Sequence, residues 1–159
     1  MNGGIPIFPL GVIKIYNNPN PPVYKSDFKF VGQGGNNPNT TQFGDELPNI
    51  VEKPEMKDLK VWFEECTKDY LDNVMQIAYD EYWIHESWIN EAKPGSHQNT
   101  HNHGNSIISG VYYFESVPEH PPLVFEKVAF NTDPFMSLRK HYNRGNPNFQ
   151  NQLAFPCTK

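Results

Sequence analysis

A mainly β fold with an N-terminal helix, closed as a sandwich or barrel-like sheet, is what the sequence predicts. Three observations carry this. Aromatic residues make up 14% of the chain, and 15 prolines and 11 glycines are spread along it. Helix-forming Ala and Leu are scarce, so strands joined by turns are favoured over a helical bundle. Several short runs alternate with period two, and only one window keeps the helical period. The 159 residues suit one domain, residues 1–159, with a core of useful size.

In chain order, residues 5–16 alternate loosely and read as an opening strand, broken by "NNPNPP" at 17–22. Residues 23–31 alternate again. The polar stretch "GQGGNNPNTTQFGDELPN" reads as a long surface loop. The helix is expected from about Pro54 to Tyr79. Pro54 fits the first turn, where its missing N–H is not needed, and Glu52 and Glu55 complement the positive end of the helix dipole. Leu59, Trp62, Phe63, Cys66, Tyr70, Val74 and Ala78 keep the three- and four-residue spacing of a buried face. Packing alone requires that spacing, so these aromatics read as core rather than as a ligand wall. Strands are then expected at 81–90 ("EYWIHESWIN"), 106–115 ("SIISGVYYFE") and 123–130 ("LVFEKVAF"), with a last one begun by "NQLAFP". A long polar loop separates the final two. No repeat divides the chain.

Charge and composition limit the function classes. A formal net charge of −5 disfavours a surface that coats nucleic acid. No apolar run approaches the roughly 20 residues needed to cross a bilayer. The N-terminus lacks a basic start and a small-residue cleavage site, so no signal peptide is read. Cys66 and Cys157 lie far apart; their spacing permits a disulfide, but two thiols in a reducing cytoplasm are the simpler reading.

Half of the six histidines fall within the stretch "HQNTHNH", at His97, His101 and His103. On a strand, His101 and His103 point to the same face and can reach one ion from a single rigid segment. Imidazole suits Fe, Zn, Cu and Ni. The bland alternative is a solvated polar loop beside a strand. His97, four residues before His101, and the distant His141 are the other imidazoles open to recruitment. Nearby, Trp88 and Asn90 read either as cavity lining or as a core Trp with a strand-end Asn. Ser109 and Tyr113 share a strand face, and their hydroxyls suit a bound carboxylate as well as backbone partners. Asn105 most simply completes the turn after His103. The basic patch "SLRKHYNR" is a solvated loop or a means of steering an anionic substrate.

Gly95 stands six residues before His101, and a strand-like run follows, as in the first motif of the cupins. Ile107 and Ile108 occupy the place of the cupin glutamate. A second likeness covers more of the chain. The segments "ESWIN", "GSHQNTHNHGNSIISGVYYF", "PPLVFE" and "LAFP" resemble, in order and spacing, a family of 2-oxoglutarate- and Fe(II)-dependent oxygenases common in marine bacteria and their phages. The likeness spans about residues 83–156 and is most specific at 101–114.

The resemblance implies a double-stranded β-helix (jelly roll, cupin-like), with the oxygenase-like core at 81–159 preceded by strands and helix at 1–80. It implies a hydroxylase-type dioxygenase using Fe(II) and 2-oxoglutarate, with His101 and His103 as metal ligands and Ser109, Tyr113 and Asn105 as cofactor-binding residues. His101 matches the family's first ligand. His103 falls where a carboxylate usually stands, which raises the site's net charge by one. The distal His and the 2-oxoglutarate-binding Arg have no counterpart after "LAFPCTK", and Arg139 and Arg144 lie upstream. The expectation is therefore a shortened member with an incomplete roll. Two further readings stand beside it: a non-catalytic binding or structural module on the same fold, and a cupin-like metal protein. The expected partners are a small-molecule or peptide substrate and a second copy of the chain, without nucleic acid or membrane.

Overall fold

The computed structural model describes residues 5–8, 11–22, 28–42, 49–104, 106–115, 120–126 and 152–155. It divides into two compact units, residues 18–114 and residues 1–17 with 115–159.

In the second of these units the strands are short and antiparallel. β1 (Ile5–Phe8) pairs with β2 (Gly11–Ile13), with an irregular step between Pro6 and Phe8. The single opening strand expected over 5–16 is thus two strands. β6 (Leu123–Glu126) pairs in register with β7 (Gln152–Phe155). The strand expected over 123–130 is therefore seen for its first half, and residues 127–130 lie outside the described residues.

The larger unit is organised around one helix. Two 3-10 turns, Ile50–Glu52 and Pro54–Met56, lead into α1 (Lys57–Asp69). Pro54 opens its turn, and Glu52, Glu55 and Asp58 collect at the N-terminal end, where partial positive charge favours them. Lys60 Nζ lies 2.8 Å from Glu52 Oε1. The helix widens into a π turn, Tyr70–Met75, and stops at Gln76, which is left-handed at φ 53°. The expected span of 54–79 is met to Met75. Leu59 is buried, and Trp62, Phe63, Cys66, Tyr70 and Val74 are half-buried. Ala78 is an exception: it lies past the helix end and is exposed, whereas Leu71 in the π turn is buried. The wider turn ends the α register on which the expected face was built.

Phe28, Ile50, Val51, Met56, Leu59 and Ile89 form the core, with Phe30, Trp62, Phe63, Ile84, Tyr112 and Phe114 packed against it. Tyr112 meets Trp62 and Phe63 edge-on, with ring centroids 5.7 and 5.6 Å away. Such edge-to-face contacts add about 0.5–1.5 kcal/mol beyond area burial. Burial raises the Tyr112 phenol above its ordinary pKa.

A three-stranded sheet, β3 (Val31–Gly32), β4 (Asn39–Thr40) and β5 (Asn90–Glu91), lies within the stretch expected to be loop at 32–49 and at the end of the strand expected at 81–90. Among the described residues the rest of 81–90 has no ladder partner beyond an isolated parallel bridge between Asn49 and Ser87. Likewise 106–115 is unladdered among the described residues, with bends at Ile107 and Phe114. Its period-two pattern is real in part: Ile107, Ser109 and Val111 are exposed, while Ile108 and Tyr112 are half-buried. Side-chain alternation reports burial on one face, and a ladder needs in addition a partner whose backbone is in reach.

Candidate metal centre

The segment before the histidines is held at many points, few of them ladder bonds. Asn49 Nδ2 donates to Ile84 O at 2.5 Å, and Asn49 Oδ1 accepts from the Ser87 hydroxyl. Ser87 Oγ accepts from Val51 N, and Ser87 O accepts from Ile50 N, both at 3.0 Å. Thr41, which is buried, uses its N–H to donate to Ile89 O and its Oγ1 to accept from Ile89 N, each at 3.0 Å. Side-chain oxygens thus satisfy backbone groups that no neighbouring strand reaches.

A turn then reverses the chain. Pro94 and Gly95 occupy its centre, with Gly95 at φ 83°, and Ser96 N donates to Lys93 O at 2.8 Å. Pro at the second position and a positive-φ Gly at the third are the requirements of a type II turn. Ser96 Oγ accepts from Lys93 N at 3.0 Å, and His97 N donates to Asn36 O at 2.9 Å. The chain leaves the histidines through another turn, in which Ser106 N donates to His103 O at 3.2 Å.

His101 and His103 therefore stand on an exposed loop, not on the strand expected from their spacing. Their rings nevertheless come together. The centroids are 5.0 Å apart and the planes lie at 80°. His101 Nδ1 is 2.8 Å from Asn99 O. The carbonyl can only accept, so Nδ1 is the donor, and in the neutral ring the lone pair is then on Nε2. A histidine that binds a metal through Nε2 needs that tautomer. His103 lies against Trp88, with centroids 5.4 Å apart and planes at 45°.

Among the described residues no group of three His, Cys, Asp or Glu side chains is placed to hold an ion. His97 is exposed, and His141 lies outside the described residues. Of the residues expected to bind cofactor, Ser109 is exposed and Tyr113 half-buried, while Asn105 lies outside the described residues. The basic patch at 137–144, with Arg139 and Arg144, lies outside them too, as does Cys157. Asn90, one of the two possible lining residues, is taken into β5. Among the described residues no helix is long and apolar enough to cross a membrane.

What sequence reasoning missed is the holding of 84–89 by Asn49 and Thr41. Both are ordinary polar residues inside a stretch read as loop, and nothing local marks their distant partners.

Residues 86–155 match the family described as "Putative 2OG-Fe(II) oxygenase". No curated protein and no solved structure matches the chain. The matched segment begins in the bonded run before the histidines, contains His101 and His103, and ends at the last residue of β7. The histidine pair thus lies within the stretch of the chain that is similar to the 2OG-Fe(II) oxygenase family.

Proposed function

We propose that the chain is a hydroxylase-type dioxygenase dependent on Fe(II) and 2-oxoglutarate, built on a double-stranded β-helix, with His101 and His103 as two of the metal's ligands. The observation that carries this reading is the convergence of the two rings, 5.0 Å apart, inside the segment matched by the family. The Asn99 carbonyl beside His101 Nδ1 supports it, because it holds Nε2 as the donor atom. The pair contributes no negative charge, unlike a His–carboxylate pair. The site therefore holds a divalent cation less strongly by charge, and a dianionic 2-oxo acid gains in relative importance.

A third ligand is recruited when the ion binds, and His97, four residues before His101, is the nearest further imidazole in sequence. Ser109, Tyr113 and Asn105 are assigned to the 2-oxo acid: a hydroxyl or amide donates to a carboxylate oxygen, and three such groups fix its orientation. With ion and 2-oxo acid bound, the chemistry supplied is oxidative: 2-oxoglutarate and O2 give succinate and CO2, and the second oxygen atom enters a C–H bond of the substrate as a hydroxyl. The protein's own part is to present two oriented imidazoles, bind the carboxylates and leave one side open. The substrate is proposed to be a small molecule or peptide.

The test is succinate release from 2-oxoglutarate with Fe(II) and O2, compared between the parent and a His101→Ala/His103→Ala variant. Succinate above background that the variant does not produce is expected. No release from the parent would leave a non-catalytic module, and oxygen consumption without any need for 2-oxoglutarate would favour a cupin-like metal protein.

A further inference from the structure

We infer that Trp88 is a positioning residue, whose indole sets the orientation of the His103 imidazole for metal binding. The inference rests on the reading of His103 as a ligand. It begins with an asymmetry between the two histidines. His101 has a directional partner, since its Nδ1 meets the Asn99 carbonyl at 2.8 Å. His103 has ring neighbours instead: Trp88 at 5.4 Å and His101 at 5.0 Å. A ligand ring that is free to turn loses affinity, because binding must then freeze it. Something fixed has to stand beside His103, and of its two neighbours Trp88 is the one whose backbone is fixed.

The residues on both sides of Trp88 are tied to separate parts of the chain. Ser87 is bound through its carbonyl to Ile50 N and through its hydroxyl to Val51 N and the Asn49 side chain. Ile89 is bound through both its N–H and its carbonyl to Thr41. Ile89 is also core, 9% exposed. The Trp88 α-carbon thus sits between two anchored neighbours, which fix the point from which its half-buried indole reaches His103. His103 stands on an exposed loop. The contact therefore transmits position one way, from the held segment to the loop.

Two measurements on the full chain test this. In the metal-free protein, NOEs between the Trp88 indole and His103 ring protons are expected; their absence overturns the inference whatever the metal does. In the second, Co(II) alone is titrated, followed by its visible absorption bands. Trp88→Leu is expected to weaken Co(II) binding about tenfold, the scale seen when partners of a ligand are removed, with an unchanged thermal midpoint. Trp88→Phe, which keeps a ring, is expected to recover most of the loss. Trp83→Leu, at a site 69% exposed, is expected to leave affinity unchanged. A folded Trp88→Leu chain that binds Co(II) as the parent does overturns the proposal. A parent that shows the NOEs yet binds no Co(II) sinks the metal reading itself, and the positioning role falls with it.

Discussion

Segments 84–91 and 97–104 are close in sequence, both largely unladdered, and held in opposite ways. The first is bonded through Ile84, Ser87, Ile89, Asn90 and Glu91 to residues 39–51. The second is tied by its entry and exit turns, by His97 N to Asn36 O, and by the bond beside His101. The first also reaches the core through Ile84 and Ile89, whereas residues 97–104 are exposed throughout. The difference teaches how an irregular loop can carry chemistry. Precision is built into the neighbour, and the loop acquires it by contact.

The largest expected effect comes from undoing what the bonded segment rests on. Leu59→Ala opens the core under Ile50, Val51 and Ile89 and should cost about 3 kcal/mol in denaturant unfolding. A loss under about 1 kcal/mol would show that the helix is not the support of this segment. Thr41→Val comes next. It keeps the shape and removes the oxygen that accepts from Ile89 N, which leaves a buried donor unpaired at a cost of about 1–3 kcal/mol. Its Co(II) affinity should fall as well, because Ile89 adjoins Trp88. Unchanged stability would mean that water replaces the hydroxyl and the holding is weaker than the hydrogen bonds suggest.

On the loop side the expected effects on stability are smaller. Gly95→Ala meets no atom within 4 Å, so its cost is that of φ 83° alone, about 1–2 kcal/mol. Replacement by D-Ala through semisynthesis should remove that cost, and a penalty for both would point to a crowded site instead. Smallest of all is the effect of His101→Ala/His103→Ala on stability. Both residues are exposed, so thermal unfolding should stay within about 0.5 kcal/mol of the parent while Co(II) binding is lost. A marked destabilisation would show the rings to be structural and would erase the contrast between the two segments.

How much of this could be read from the chain follows the range of the forces. The helix was legible because its buried face recurs every three or four residues, within one short window from Leu59 to Val74. The histidine pair was legible because it is local: two imidazoles one residue apart share a face where the chain is extended. Spacing alone does not choose between the strand and the solvated loop, and the loop is what the structure has. The strand pattern at 106–115 reflects Tyr112 and Phe114 packing on the helix-centred core, and side chains can alternate in burial with no ladder beside them. Asn49 and Thr41 escaped notice because each acts on backbone 35 or more residues away, and a distant hydrogen bond leaves no mark on its neighbours in sequence. Trp88 was visible as a wall or a core residue, but the identity of what lies against it depends on the same distant bonds.

The π turn at Tyr70–Met75 has a consequence for how this chain can vary. A π turn holds about one residue more than an α turn of similar rise. Deleting one residue there would let the backbone close as an ordinary helix, and the chain would still leave near the same place. A chain with one residue removed at this turn should therefore keep the bonded run that follows in place, with a thermal midpoint near that of the parent.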